Sequence, residues 1–278
     1  MDLVKRYRYL FFLIGALILL VIGSLFGMFP VCLIAYKKFG YSLQFTQKIL
    51  VLFSNYYSTE ILENGQTYAQ FASEYFTLNP DYFNAAKHLS ALLQLFSYAP
   101  LVIFIGVFLW KDLLEDAKKM KSEFGRNMLI VLIGFISMLA LSYMVNIIYA
   151  ILGDSGTSVN ESTLQLMMQS TGKWYLLIAV VIFAPICEEI VFRKLIIDTF
   201  EKSFKLNSTI AICVSAFIFA FIHVTDCQSF VYIFQYLALA FPLCLVYHYS
   251  NNNIYVSISV HMLNNLLVGI MYLVQYGI

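Results

Sequence analysis

The sequence predicts an all-α membrane protein, a polytopic bundle of seven to eight transmembrane helices. Of its 278 residues, 61% are hydrophobic and only 12% are charged, and the mean hydropathy is +0.78. Soluble domains contain about 25% charged residues. Several apolar runs also reach the roughly 20 residues that a helix needs to cross a bilayer. The net charge of +1 and the absence of a basic stripe predict no nucleic-acid partner.

Seven apolar runs are predicted to span the membrane: 9–36, 89–110, 128–152, 174–200, 207–224, 230–249 and 254–276. Pro30 lies near the end of the first run. The segment 37–88 is the most polar of the chain, and residues 45–62 within it fit either an interfacial amphipathic helix or an eighth span. No repeat or flexible linker is found, so the chain is predicted to be one membrane domain, with N-terminal membrane helices and this polar segment in 1–170 and the remaining helices in 171–278.

Charge predicts the orientation, because basic residues in short loops mark the cytoplasmic side. With seven spans, the cluster of Lys5, Arg6 and Arg8, the charged loop 111–127 and the residues 194–205 all lie inside. The loop 153–172, which contains no Lys or Arg, lies outside. The lysines of 37–88 also fall outside, and an eighth span there would change this topology. The expected location is the cell membrane.

Five cysteines, among them Cys227, occur singly and without a C-x-x-C pattern. This distribution predicts buried thiols rather than a disulfide framework or a cysteine-based zinc site.

Three ionisable residues lie inside the apolar run 174–200: Glu188, Glu189 and Arg193. Such groups are costly at bilayer depth unless they are paired or face a cavity. Glu189 and Arg193 are four residues apart and can pair on one helix face. Glu188 is offset by about 100° and stays free for chemistry. Pro185 is expected to kink the helix beside Glu188. An acid–base pair that merely locks two helices together is the structural alternative.

Polar residues on two later spans extend this candidate site. His223 lies near the end of the fifth span, and His261 and Asn265 lie on one face of the seventh. Gly269 continues that face and is expected to let a neighbouring backbone come close. Taken singly, these residues fit interfacial or helix-bridging roles. Together with Glu188 they can form a hydrolytic site, because a carboxylate and an imidazole hold a water while an imidazole and a carboxamide stabilise an oxyanion. Two histidines and a glutamate are also an acceptable zinc set.

Three short motifs occur in order on successive predicted spans: Glu188-Glu189-x-x-x-Arg193, Phe219-x-x-x-His223 and His261-x-x-x-Asn265. In this order they resemble the CAAX protease and bacteriocin-processing (CPBP, or Abi) family of intramembrane endopeptidases, over roughly residues 174–269. The resemblance implies that residues 171–278 are the catalytic core. It also implies hydrolysis of a peptide bond in a membrane-associated peptide or lipidated protein, in CAAX-type, bacteriocin or signal-peptide processing.

The resemblance also implies a role for each motif residue. Glu188 matches the glutamate that activates water, and His223 helps to hold that water. His261 and Asn265 match the pair proposed to stabilise the oxyanion. The remaining two positions, Glu189 and Arg193, match supporting residues.

Members of this family have been described both as metalloproteases and as metal-independent glutamate proteases, and the residues allow either. If Zn²⁺ binds, Glu188, His223 and His261 are its expected ligands. Water activated by Glu188 without a cofactor is preferred, because one carboxamide and a Glu189 engaged with Arg193 leave a poor ligand set for a dication.

Other classes are excluded or left as alternatives. There is no H-E-x-x-H, G-x-G-D or G-x-S-x-G motif for other intramembrane or serine proteases. A catalytically silent membrane scaffold or a bacteriocin self-immunity protein remains the alternative, and a proton-relay transporter is a third, although no inverted repeat is found.

The site is expected to lie in a cavity of the last four helices that opens to the cytoplasmic side. The sequence does not specify the oligomeric state.

Overall fold

The structure is a computed structural model, and it describes residues 7–154, 156–224 and 229–276. The basic residues Lys5 and Arg6 and the thiol of Cys227 lie outside the described residues. Within them the chain folds as a bundle of helices, which confirms the predicted all-α architecture.

The described helices follow one another along the chain as α1 (Arg8–Phe39), α2 (Leu43–Ser54), α3 (Tyr68–Leu78), α4 (Pro80–Ser97), α5 (Ala99–Phe108), α6 (Trp110–Ser122), α7 (Phe124–Ile151), α8 (Val159–Met168), α9 (Lys173–Ser203), α10 (Ser208–His223), α11 (Ile233–Tyr249) and α12 (Ile254–Tyr276). In this part of the chain six helical stretches are long and apolar enough to cross a membrane: α1, α4 with α5, α7, α9, α11 with the turn before it, and α12. The predicted fifth span corresponds to the apolar helix α10, which has 16 residues.

The polar segment 37–88 forms short helices that pack on the bundle. Helix α2 has 12 residues and is therefore about 18 Å long, well short of the roughly 30 Å of a hydrocarbon core. Its apolar face, with Ile49 and Phe53, is buried against Phe76 of α3 and Leu89 of α4. The structure thus favours a packed amphipathic helix over an eighth span. The second span begins at Pro80, nine residues earlier than predicted, and its helix is interrupted at Tyr98, just before Pro100.

Residues 111–127, expected as a charged loop, instead contain helix α6 and the start of α7. Asp112 and Asp116 lie four residues apart on α6 and are both buried. Asp112 forms an ion pair with Arg8 of α1, and Asp116 binds Nζ of Lys194 on α9 at 2.5 Å. Because of these long-range ion pairs, one face of the strongly charged helix α6 packs against the bundle. The sequence pattern did not predict this packing.

Those of the predicted cytoplasmic basic groups that the structure describes lie together at one end of the bundle. Besides the α6 pairs, Nζ of Lys202 binds Asp198 at 2.7 Å, and Tyr247 of α11 donates to the same carboxylate at 3.3 Å. The side-chain amide of Asn253, just before α12, donates to the backbone oxygen of Asp116 at 3.0 Å. We call this the basic end. The opposite end carries α8 and the Lys-free loop before it.

The outer surface of the bundle is apolar, as a lipid-facing surface must be. Val21 and Phe29 of α1 and Ile151 of α7 are each 78% exposed. Helix α1 approaches α4 closely at Gly23, where an added Cβ would lie 2.3 Å from the backbone oxygen of Ser97. The chain is a multi-pass membrane protein, and its buried polar residues lie inside this apolar shell.

Candidate active site

Helix α9 is irregular around the acidic pair. Residues Ala179–Phe183 and Ile190–Ile197 form π-helical turns, and a short α-helical stretch, Ala184–Glu189, lies between them. In the first π turn the N–H of Ala184 donates to the carbonyl of Ala179, five residues back. The same register would pair the carbonyl of Val180 with the nitrogen of Pro185. Because proline has no N–H, that carbonyl is left free by the helix itself.

Asn265 of α12 fills this gap. Its Nδ2 donates to the backbone oxygen of Val180 at 2.8 Å, and its Oδ1 accepts from Nδ2 of Asn264 at 3.2 Å. The predicted oxyanion donor is therefore also a structural link between α9 and α12. One of its two amide hydrogens is used in this link, and the other is left for a ligand.

The buried pair predicted from spacing is present. Nε of Arg193 lies 3.1 Å from Oε2 of Glu189, and both side chains are fully buried. The N–H direction of Nε does not meet hydrogen-bond geometry, so the contact is a charge pair rather than a directed hydrogen bond. The guanidinium also lies over the ring of Phe219 at 4.5 Å, a favourable cation–π position.

The other oxygen of Glu189 holds a catalytic candidate in place. Oε1 of Glu189 lies 2.9 Å from Nδ1 of His261, which turns Nε2 of that ring towards Glu188 at 3.9 Å. A carboxylate accepts hydrogen bonds, so Nδ1 of His261 carries a hydrogen in this contact. Glu189 is thus neutralised by Arg193 and orients His261. The sequence did not predict this second contact.

Glu188 has no Lys or Arg partner among the described residues. Its side chain is 14% exposed and lines a cavity, and its Oε2 lies 3.9 Å from Nε2 of His261. No Lys or Arg forms an ion pair with it in the described part of the chain. The expectation that one carboxylate of the pair is neutralised while the other stays available agrees with this geometry.

His223 reaches the same cavity from the end of α10. Its Nδ1 donates to the carbonyl of Phe219 at 2.7 Å, because a carbonyl can only accept. Nε2 is thereby the nitrogen left to act on a ligand. The ring stacks on Tyr236 of α11, with centroids 4.9 Å apart. Phe219 contacts both imidazoles, with centroids 4.5 Å from His223 and 6.1 Å from His261.

The cavity has a volume of about 340 Å³ and brings together the predicted Glu188, His223, His261 and Asn265. It also contains polar residues that the sequence reasoning missed, several of them from outside the last four helices: Gln94, Tyr98, Asn160, Glu161, Tyr236, Asn264 and Tyr272. The missed residues belong to no short motif, so local spacing gave no signal for them. A second cavity of about 350 Å³ between α7 and α11 has an apolar lining in which Tyr249 is the one titratable residue, and it offers no comparable chemistry.

Gly269 also lines the cavity. An added Cβ there would lie 2.8 Å from Cδ2 of Leu177. The close neighbour is therefore a side chain of α9, not the backbone that was expected.

The cavity lies towards the end of the bundle opposite the basic end. Asn160 and Glu161 of α8 line it, and Gln165 of the same helix donates to the hydroxyl of Tyr272 at 3.2 Å near the end of α12. None of the ion-paired residues at the basic end lines it. The sequence predicts access from the basic, cytoplasmic side, whereas the described cavity lining extends towards the opposite end of the bundle.

The expected zinc set is close together but is not arranged as a metal site. Within the described residues, no group of three or more His, Cys, Asp or Glu side chains is placed to hold a metal ion. Nδ1 of each imidazole is engaged, that of His261 by Glu189 and that of His223 by the carbonyl of Phe219, and this leaves Nε2 of each ring for a ligand. The described side chains are not gathered around one point as metal ligands are, and the metal dependence of the reaction stays a prediction.

Comparison with known families supports the motif reading. Residues 170–267 match the family described as Type II CAAX prenyl endopeptidase Rce1-like. This match confirms the predicted resemblance and covers all three motifs, while residues 1–169 lie outside it. No curated protein and no solved structure matches the chain.

Proposed function

We propose that this membrane protein, which carries an Rce1-like region, is an intramembrane endopeptidase in which Glu188 activates water. The observation that supports the proposal is that the two adjacent carboxylates have different partners. Glu189 is held by Arg193 and orients His261, whereas Glu188 faces the cavity without a Lys or Arg partner among the described residues. A carboxylate without a Lys or Arg partner, beside imidazoles in a cavity between helices, is the arrangement of a general base.

In the proposed reaction a water molecule lies between Glu188 and Nε2 of His223. Glu188 takes a proton from the water as its oxygen attacks the scissile carbonyl carbon. The C–O bond forms while the carbonyl π electrons move onto oxygen, which gives a tetrahedral oxyanion. The C–N bond then breaks, and Glu188 returns the proton to the leaving amine.

The oxyanion is stabilised by the remaining amide hydrogen of Asn265 and by Nε2 of His261. Because Nδ1 of His261 already donates to Glu189, Nε2 can donate only when the ring is doubly protonated. Preorganised donors of this kind are more effective in a cavity between helices than in bulk water.

The substrate class follows from the setting rather than from a motif. The cavity is enclosed by membrane helices, so a peptide or the tail of a lipidated protein that lies at the bilayer is the expected substrate. The cell membrane is the proposed location.

The test compares the membrane peptides of cells that carry the wild-type chain, Glu188→Gln or Glu115→Gln. Glu115 is an exposed residue of α6 and provides the same chemical change away from the cavity. We expect specific cleavage products in the wild type and the Glu115→Gln strain and their loss with Glu188→Gln at normal protein level. Identical peptide profiles in all three strains would refute the proposal and leave a scaffold or immunity role as the better account.

A further inference from the structure

A second carboxylate, Glu161, lies in the cavity and has no part in the reaction proposed above. It is in the first turn of α8, and its N–H donates to Oγ of Ser158, the residue that caps the helix, at 3.2 Å. Its own carboxylate has one weak partner, Nε2 of Gln165 at 3.5 Å. The side chain is partly buried and contributes to the cavity wall.

No cation neutralises Glu161 in the described part of the chain. It forms none of the ion pairs found there. The cavity lining includes two carboxylates, Glu161 and Glu188, but no Lys or Arg. The surrounding segment 153–172 also contains neither residue. A partly buried carboxylate without a counter-charge is unfavourable unless a ligand supplies one.

The position of Glu161 is coupled to the reacting end of the cavity. The ring of Tyr236 stacks on His223, and its hydroxyl shares a hydrogen bond of 2.6 Å with Oγ of Ser158. Nδ2 of Asn160 donates to the same hydroxyl at 3.4 Å. The first turn of α8 is therefore fastened beside one of the imidazoles, and a group bound at Glu161 lies in the same cavity as the scissile bond.

We propose that Glu161 binds a cationic group of the peptide substrate and so selects peptides with a positive charge near the cleavage site. The group is a Lys or Arg side chain or a free amino terminus, which share the chemistry of an N–H donor with positive charge. The proposal deepens the proposed function, because it names a substrate class for the same cavity. Binding is nevertheless measurable without cleavage.

The experiment uses full-length Glu188→Gln protein in lipid nanodiscs, so that bound peptides stay intact. A random decapeptide library is incubated with the protein in two forms, one N-acetylated and one with free amino termini, and retained peptides are sequenced by mass spectrometry. Retained N-acetylated peptides should be enriched in Lys and Arg by at least about tenfold, as expected for a charge-assisted hydrogen bond. If the amino terminus is the bound group, only the free-amine library shows retention, without preference for Lys or Arg.

Two matched variants of the Glu188→Gln protein carry a second substitution, either Glu161→Gln or Glu63→Gln. Glu63 is an exposed residue in the loop before α3 and serves as the control. Glu161→Gln should abolish the charge preference and Glu63→Gln should leave it intact. Equal preference with Glu161→Gln, or no retention of cationic peptides by the parent, would overturn the inference. Charge-selective retention together with a wild-type chain that cleaves nothing would instead refute the peptidase proposal alone.

Discussion

Nδ2 of Asn265 lies 2.8 Å from the backbone oxygen of Val180, and it satisfies a carbonyl that the π turn of α9 leaves without a donor. Pro185 is the cause, because it occupies the position that would supply the missing N–H. A residue assigned to the oxyanion site by family resemblance therefore also holds two helices together. The same side chain therefore contributes to both stability and chemistry at this position.

Asn265→Ala should lower both activity and stability. We expect the cleavage rate to fall by about 10²–10³, as for loss of an oxyanion donor elsewhere. The unfolding free energy should fall by about 1–3 kcal/mol, because a buried carbonyl is left unsatisfied. In a Pro185→Ala background the backbone can supply an N–H to Val180, so Asn265→Ala should cost less stability there. Thermal unfolding of the wild type, the two single variants and the double variant measures this difference. An equal loss of stability in both backgrounds would contradict the role of Asn265 as the donor to Val180.

Removing the buried cation should damage folding more than removing an exposed one. Arg193→Ala leaves Glu189 buried and unpaired, and the expected loss is about 3–5 kcal/mol. Arg126→Ala is the control, because Arg126 pairs with Glu123 at the surface, where such pairs contribute about 0–1 kcal/mol. The yield of folded protein and the melting temperature in detergent provide the comparison. A normal yield of Arg193→Ala with lost cleavage would show instead that the guanidinium acts in the reaction.

Stability should depend on pH through Glu161, which lies outside the membrane-spanning helices. Burial raises the pKa of its carboxyl group above the ordinary value, and the hydrogen bond from Gln165 opposes this only in part. A carboxyl group with a raised folded-state pKa contributes stability below its unfolded pKa and loses that contribution as the pH rises through the folded pKa. Glu161→Gln should therefore be more stable than the wild type near pH 7, and the difference should vanish at acidic pH.

Melting temperatures of the wild type, Glu161→Gln and Glu63→Gln over a pH series measure this effect. The exposed Glu63 should show no comparable change. A wild type that is more stable than Glu161→Gln at neutral pH would mean that the carboxylate already has a favourable partner.

Cleavage should survive removal of divalent metal ions, because the proposed base is Glu188 itself. Purified protein is dialysed against a chelator, and the rate is measured before and after Zn²⁺ is added back. We expect neither the chelator nor the added Zn²⁺ to change the cleavage rate. Loss of cleavage on chelation with recovery on addition of Zn²⁺ would favour the alternative in which Glu188, His223 and His261 hold a metal.

The sequence alone was sufficient for the membrane class, for most of the spans and for the pairing of Glu189 with Arg193. The reason is that these features are local: bilayer thickness sets a run length, and a four-residue spacing places two side chains on one helix face. Family resemblance added the roles expected for Glu188, His223, His261 and Asn265.

Only the tertiary structure decided how these local features meet. Glu189 contacts His261 across 72 residues of chain, and Asn265 reaches Val180 across 85. The tertiary structure alone also placed Glu161 in the cavity wall and the cavity away from the basic end. Such contacts depend on how the helices cross and how each is rotated about its axis, and packing over the whole bundle sets both, whereas the spacing of residues within a single helix records neither.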